Sequence, residues 1–167
     1  HGEGELTIVE LVQALRANDV LVSDGWENAY YTQFSGSSGK GPRPLVVSYA
    51  TSPAAEVFFS EGKLTTPPTG NILPDGASFR QIEFVGILKG TPNRDLAARW
   101  IDFMLGPTFQ EDIPLQMFVY PANQTAALPD LFKQFAVLPA APASLPATLI
   151  SQQREAWVDA WTTAVLR

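Results

Sequence analysis

The stretch Ser23–Phe34, SDGWENAYYTQF, gathers the side chains best able to do chemistry: the carboxylates of Asp24 and Glu27, the indole of Trp26 and the adjacent phenols of Tyr30 and Tyr31. Three chemistries are open to such a set. Two carboxylates three residues apart can act as an acid–base pair. Adjacent tyrosines can ligate ferric iron, a hard cation that takes oxygen ligands. Aromatic faces can hold an organic cation, at about 0.5–1 kcal/mol per exposed face and ~2 kcal/mol or more once water is excluded.

The rest of the chain narrows the choice. There is no Cys, and the one His is residue 1. Thiol nucleophiles, disulfides and cysteine zinc sites are excluded, and little is left for His catalysis. Neither a phosphate-binding Gly loop nor a nucleophile elbow is present. The Asp24–Glu27 spacing is also that of a helix capping box, which explains both residues without catalysis. Consecutive helical residues point about 100° apart, so of Tyr30 and Tyr31 one is expected to pack inward and the other to face solvent. The pair also falls a full turn inside a helix starting near Trp26, which argues against iron. No metal site and no catalytic residue are therefore assigned.

With 167 residues, 46% hydrophobic and 17% charged, the chain is long and apolar enough for a folded core. A net charge of −6 argues against nucleic acid as a partner and is compatible with a cationic ligand. The chain opens HGEGELTIVELVQALR, directly in a helical pattern. That is expected of a chain that has lost a leader or starts within a longer protein.

The elements that must position these residues alternate. Thr7 and Glu10 form a capping box for a first helix, with Leu6 stapled to Leu11 and Ile8, Leu11, Val12 and Leu15 on one face. Val20–Val22, Leu45–Tyr49, Ile82–Leu88 and Met117–Tyr120 read as short strands. Thr51-Ser52-Pro53 opens a helix to about Phe59. Another follows Asn93 with Leu96, Trp100, Phe103 and Met104 on one side, a short one covers Thr108–Asp112, and a last one carries Trp157 and Trp161. Trp100, Trp157 and Trp161 are read as packing. Ser35–Pro44 is expected to be a flexible loop, and the sequon at Asn123 carries no weight. Strands alternating with helices predict an α/β fold with a mixed, mostly parallel sheet. In such folds ligands sit beyond the strand ends. That singles out Asp24, Trp26 and Glu27 after one strand and Tyr49, Thr51 and Ser52 after the next. Phe118 lies in the aromatic run LQMFVYP and can line a cleft or a core.

The blocks DGWENAY, LVVSYATSP, FSEG, ARWIDFMLGPTFQEDIP with VYP, and QQREAWVDAWTTAVLR, in that order, resemble the periplasmic thiamine-binding proteins of bacterial ABC importers, from about Ala14 to Arg167. The resemblance implies a two-lobed periplasmic-binding-protein-like fold of which this chain is the C-terminal portion. Residues 1–44 would end the second lobe, and residues 45–167 would return to and complete the first. It implies a solute-binding component that performs no chemistry and needs no cofactor. The ligand would be thiamine, thiamine monophosphate or thiamine diphosphate, stacked on Trp26, Tyr49 and Phe118, the last standing where the family usually has Trp. Asp24 and Glu27 would offer a carboxylate to the exocyclic amine, and the main chain at Thr51 and Ser52 would face a phosphate. The implied partners are a membrane permease and the missing N-terminal segment. The implied location is periplasmic or extracellular, with a lipid anchor as one form. Homo-oligomerisation or strand exchange is expected to compensate for the missing part. A ferric-binding protein of the same superfamily is the alternative. A carboxylate-dependent hydrolase and the effector domain of a transcription regulator are more distant ones.

Overall fold

The computed structural model describes residues 7–166. In order, they form α1 (Ile8–Ala17), a π-helical turn (Asn28–Gln33), α2 (Ser35–Ser38), α3 (Ser52–Phe59), α4 (Arg94–Leu105), α5 (Pro107–Met117), α6 (Asp130–Phe135) and α7 (Ala147–Leu166). They divide into two compact units. The first comes from the described parts of His1–Ala29 and Ser144–Arg167, the second from Tyr30–Ala143.

The expected α/β fold with its mixed, mostly parallel sheet is corrected. Among the described residues no sheet forms, and the only pairings are isolated bridges joining Phe34 to Arg43 and Phe79 to Ala143. Val20–Val22, Leu45–Tyr49 and Ile82–Leu88 carry no regular structure. Their β-branched and aromatic residues supply only half of what a strand needs, because the ladder bonds must come from a neighbouring segment. Among the described residues no such neighbour lies beside them, and much of their apolar surface stays in solvent: Val47 is 93% exposed, Phe84 89% and Leu88 83%. The fourth expected strand fails differently. Helix α5 runs on through a buried Pro114 to Met117 and consumes its start, and Phe118 caps the helix in the left-handed conformation, φ 54°.

In the first unit, α1 packs on α7. The capping box forms as expected: the Glu10 N–H donates to Thr7 Oγ1 at 3.2 Å and the Thr7 N–H to Glu10 Oε2 at 2.8 Å. The Thr7 N–H and the Thr7 hydroxyl, both donating to Oε2 at 2.8 Å, hold the Glu10 carboxyl below its ordinary range. Leu6, the expected staple, and the side chain of Ile8 lie outside the described residues. Val12 on α1 and Val165 on α7 are buried.

The second unit is built around α3, which packs on α6, and around the α4–α5 pair. Gln110 on α5 is buried and joins three places. Its amide donates to the Met104 carbonyl at 2.8 Å, and its oxygen accepts from the Ala122 and Asn123 N–H groups. Asn123 in turn donates to the Leu105 carbonyl, which gives the sequon residue a structural role. Trp100, read as packing, does pack on Phe103 on α4, though both remain about half exposed, as does Trp161 on α7. The Ser35–Pro44 segment is a closed loop. Ser35 donates to Arg43 and Arg43 to Gln33. Gly41 is required there, since a Cβ at that position would collide with the Gln33 carbonyl.

Candidate functional site

The residues assigned to binding fall into both units. Asp24, Trp26 and Glu27 belong to the first. Asp24 does not form the expected capping box with Glu27. It accepts from the Asn28 side-chain amide at 3.1 Å and from Ser23 Oγ at 3.4 Å, and the Asn28 bond is the main reason its carboxyl titrates below the usual range. Trp26 is half-buried where the chain enters the turn, and Asp24 and Glu27 are exposed. The two carboxylates thus stand in solvent.

In the second unit, Tyr49, Thr51 and Ser52 lie at the start of α3. Tyr49 is 60% exposed, whereas Thr51 and Ser52 are buried. The Ser52 N–H donates to the Tyr49 carbonyl at 3.0 Å, and no side chain caps the helix. Ser52 Oγ instead lies 2.8 Å from Ser48 Oγ, and the Asn71 amide donates to the Ala50 carbonyl at 2.9 Å. Tyr49 therefore sits on a short segment whose main chain is held at several points.

Phe118 lies by the other end of α3. Its ring is 5.6 Å from Phe58 and 5.1 Å from Phe59, and it stacks on the buried Phe132 at 6.2 Å with the planes 24° apart. Tyr120 meets the same Phe132 edge-on. The eight residues of α3 rise by about 10 Å, so Tyr49 and Phe118 attach at opposite ends of one helix. Phe118 holds a left-handed φ that costs a bulky L-residue about 1–2 kcal/mol. The ring stacking and the Phe118 N–H bond to the Pro114 carbonyl at 3.1 Å offset that strain. Phe58 and Phe59 were not singled out from the sequence, where two adjacent phenylalanines on a helix look like packing.

The tyrosine pair divides as expected. Tyr30 is 4% exposed and Tyr31 53%, their rings edge-to-face at 5.4 Å. The Tyr30 hydroxyl donates to Glu56 Oε1 at 2.6 Å, and the Thr69 hydroxyl donates to Oε2 at 2.5 Å. Burial first, and the Glu56 carboxylate second, push the Tyr30 pKa far up. An iron site needs the opposite, a phenolate stabilised at neutral pH. Among the described residues no group of three or more His, Cys, Asp or Glu side chains is placed to hold a metal ion. Sequence reasoning missed Glu56 and Thr69 because their link to Tyr30 joins residues 26 and 39 positions away, which leaves no local signature.

A family model for bacterial extracellular solute-binding proteins matches residues 2–140. Over 93% of its length the chain is similar to thiamine-binding periplasmic proteins. It is 33% identical to the one from Salmonella typhimurium over 155 residues, 34% to that of Escherichia coli over 156 and 32% to that of Brucella suis over 160. The chain spans 44% of the length of each of these relatives. No solved structure matches it. With a family match across most of its residues, the chain belongs to the bacterial extracellular solute-binding proteins.

Proposed function

We propose that this chain is part of a periplasmic solute-binding component of a bacterial ABC importer that takes thiamine and does no chemistry on it. The observation that carries the reading is the 32–34% identity to three thiamine-binding periplasmic proteins over nearly the whole chain. In this reading residues 1–44 belong to the second lobe of the full-length protein and residues 45–167 to the first. Trp26, Tyr49 and Phe118 stack on the thiazolium and aminopyrimidine rings between those lobes. Two or three such faces contribute several kcal/mol at ~2 kcal/mol per desolvated cation–aromatic contact. Asp24 or Glu27 accepts from the exocyclic amine. Both are exposed carboxylates, so neither carries a desolvation cost before the ligand arrives.

Unphosphorylated thiamine is the first ligand to test. The Ser52 N–H already donates to the Tyr49 carbonyl, which weighs against a phosphate at Thr51 and Ser52. The partners in this reading are a membrane permease, which docks the ligand-closed form, and the remaining segment of the same protein. A homo-oligomer or exchange of extended segments replaces that segment where it is absent. Ferric iron is disfavoured by the buried, protonated Tyr30 and its bond to Glu56.

Calorimetric titration of the full-length protein with thiamine, its two phosphates and ferric iron tests the reading. Trp26→Ala should weaken thiamine binding tenfold or more, a loss of about 1.4 kcal/mol. Unchanged affinity would remove Trp26 from the site, and binding of iron in preference to thiamine would overturn the assignment.

A further inference from the structure

Glu56 has no part in the binding set, yet it is the node of a polar network in the second unit. Ser52 and Glu56 are one turn apart on α3 and share a face. That face meets Tyr30, whose hydroxyl donates to Glu56 Oε1 at 2.6 Å, while the Thr69 hydroxyl donates to Oε2 at 2.5 Å. The Ser52 hydroxyl also reaches the Tyr30 oxygen. Ser48 Oγ lies 2.8 Å from Ser52 Oγ.

A carboxylate accepts and does not donate, so it sets the polarity of the whole chain. Tyr30 must give its proton to Glu56. Its oxygen can then accept from Ser52, which can in turn accept from Ser48. Hydrogen bonds aligned in one sense in a half-buried setting reinforce one another. The two serines bracket Tyr49. With the Asn71 bond to the Ala50 carbonyl and the Ser52 bond to the Tyr49 carbonyl, residues 48–52 are fastened at both ends and in the middle. An exposed ring on a rigid main chain loses less freedom when a ligand stacks on it than one on a mobile loop.

We propose that Glu56 is a positioning residue that acts through Tyr30 and Ser52 to fix the 48–52 segment and so to pre-orient the Tyr49 ring for its ligand. The proposal rests on the thiamine-binding reading above, because thiamine is its probe. It assigns Glu56, Tyr30 and Thr69 a function in binding that requires no contact with the ligand.

A double-mutant cycle on the full-length protein separates positioning from general structural support. Tyr30→Phe deletes only the donor hydroxyl, and Tyr49→Ala deletes the ring. By thiamine calorimetry, Tyr30→Phe alone should weaken binding about fivefold, equivalent to ~1 kcal/mol. Combined with Tyr49→Ala, it should add less than about twofold, because the ring it positions is gone. Glu56→Ala should reproduce the loss, and Glu56→Gln, which keeps one acceptor oxygen, should restore part of it. Equal fold-losses from Tyr30→Phe with and without the Tyr49 ring would overturn the proposal while leaving the binding reading intact. Wild-type protein that fails to bind thiamine, or binding that ignores Tyr49→Ala, would take down the reading and the proposal with it.

Discussion

Two segments hold the three most exposed large apolar side chains among the described residues, Val47, Phe84 and Leu88. In Leu45–Tyr49 the alternate residues Leu45, Val47 and Tyr49 are exposed, and in Ile82–Leu88 so are Ile82, Phe84 and Leu88. At roughly 2 kcal/mol for a fully buried aliphatic or phenyl side chain, the five non-tyrosine residues retain about 8 kcal/mol of unrealised burial per copy. A symmetric pair doubles that, against a cost of about 4–15 kcal/mol for association and ordering. The net, on the order of 7 kcal/mol, corresponds to a dissociation constant in the micromolar range. The isolated chain should therefore associate over roughly 1–100 µM in sedimentation velocity. Val47→Lys with Phe84→Lys removes two of the most exposed apolar groups from each copy and sets like charges where the faces meet, as natural edge strands do. That variant should remain monomeric at the highest concentration. A wild-type chain that stays monomeric throughout, or a double-lysine variant that associates equally well, would refute the argument that these faces seek cover.

Two further outcomes concern the interior of the second unit. Phe132 is 1% exposed and carries the stack with Phe118 and the edge contact with Tyr120, so Phe132→Ala should cost about 3–5 kcal/mol in urea denaturation; a loss under about 1 kcal/mol would mean the cluster relaxes around the gap. The Tyr30 pKa is raised by burial and by Glu56, the charged group facing it, so its contribution is fully present below the unfolded pKa near 10 and is lost as pH rises beyond it. Stability measured from about pH 9 to 12 should fall more steeply for wild type than for Tyr30→Phe, and parallel curves would show that Tyr30 does not drive the alkaline loss.

Helices were legible in this sequence to the extent that their determinants are local. The Thr7–Glu10 box, the Ser52-Pro53 start with an end at Phe59, and the turn before Arg94 all depend on residues within one or two turns, and each element appears where that chemistry places it. The split between Tyr30 and Tyr31 was legible for the same reason, since it follows from helical rotation alone. The sheet was not, because strand propensity states a preference for company and cannot show whether company is present. The aromatic run at Phe118 misled in another way. Pro114 signals a helix break, yet α5 accommodates it and continues for three more residues, so the alternation expected for Phe118 and Tyr120 never begins. Glu56 and Gln110 bind distant partners, and nothing near them in sequence marks either as a hub.

Helix α3 is where these separate observations meet. At eight residues it is too short to hold its shape alone, because helix nucleation is costly and isolated helices of this length are marginal in water. Its stability must come from its two sides. Near its start, Ser52 and Glu56 bond to Ser48, Tyr30 and Thr69; near its end, Phe58 and Phe59 pack on Phe118, which lies on Phe132. The first anchorage is polar and directional, which restricts the segment carrying Tyr49 to few orientations. The second is aromatic and tolerant of small sliding, which suits a ring wall whose Phe118 already carries backbone strain. Losing either anchorage should therefore loosen the aromatic at that end first, and the stiffness of Tyr49 and Phe118 is set by different chemistry at each end of a single short helix.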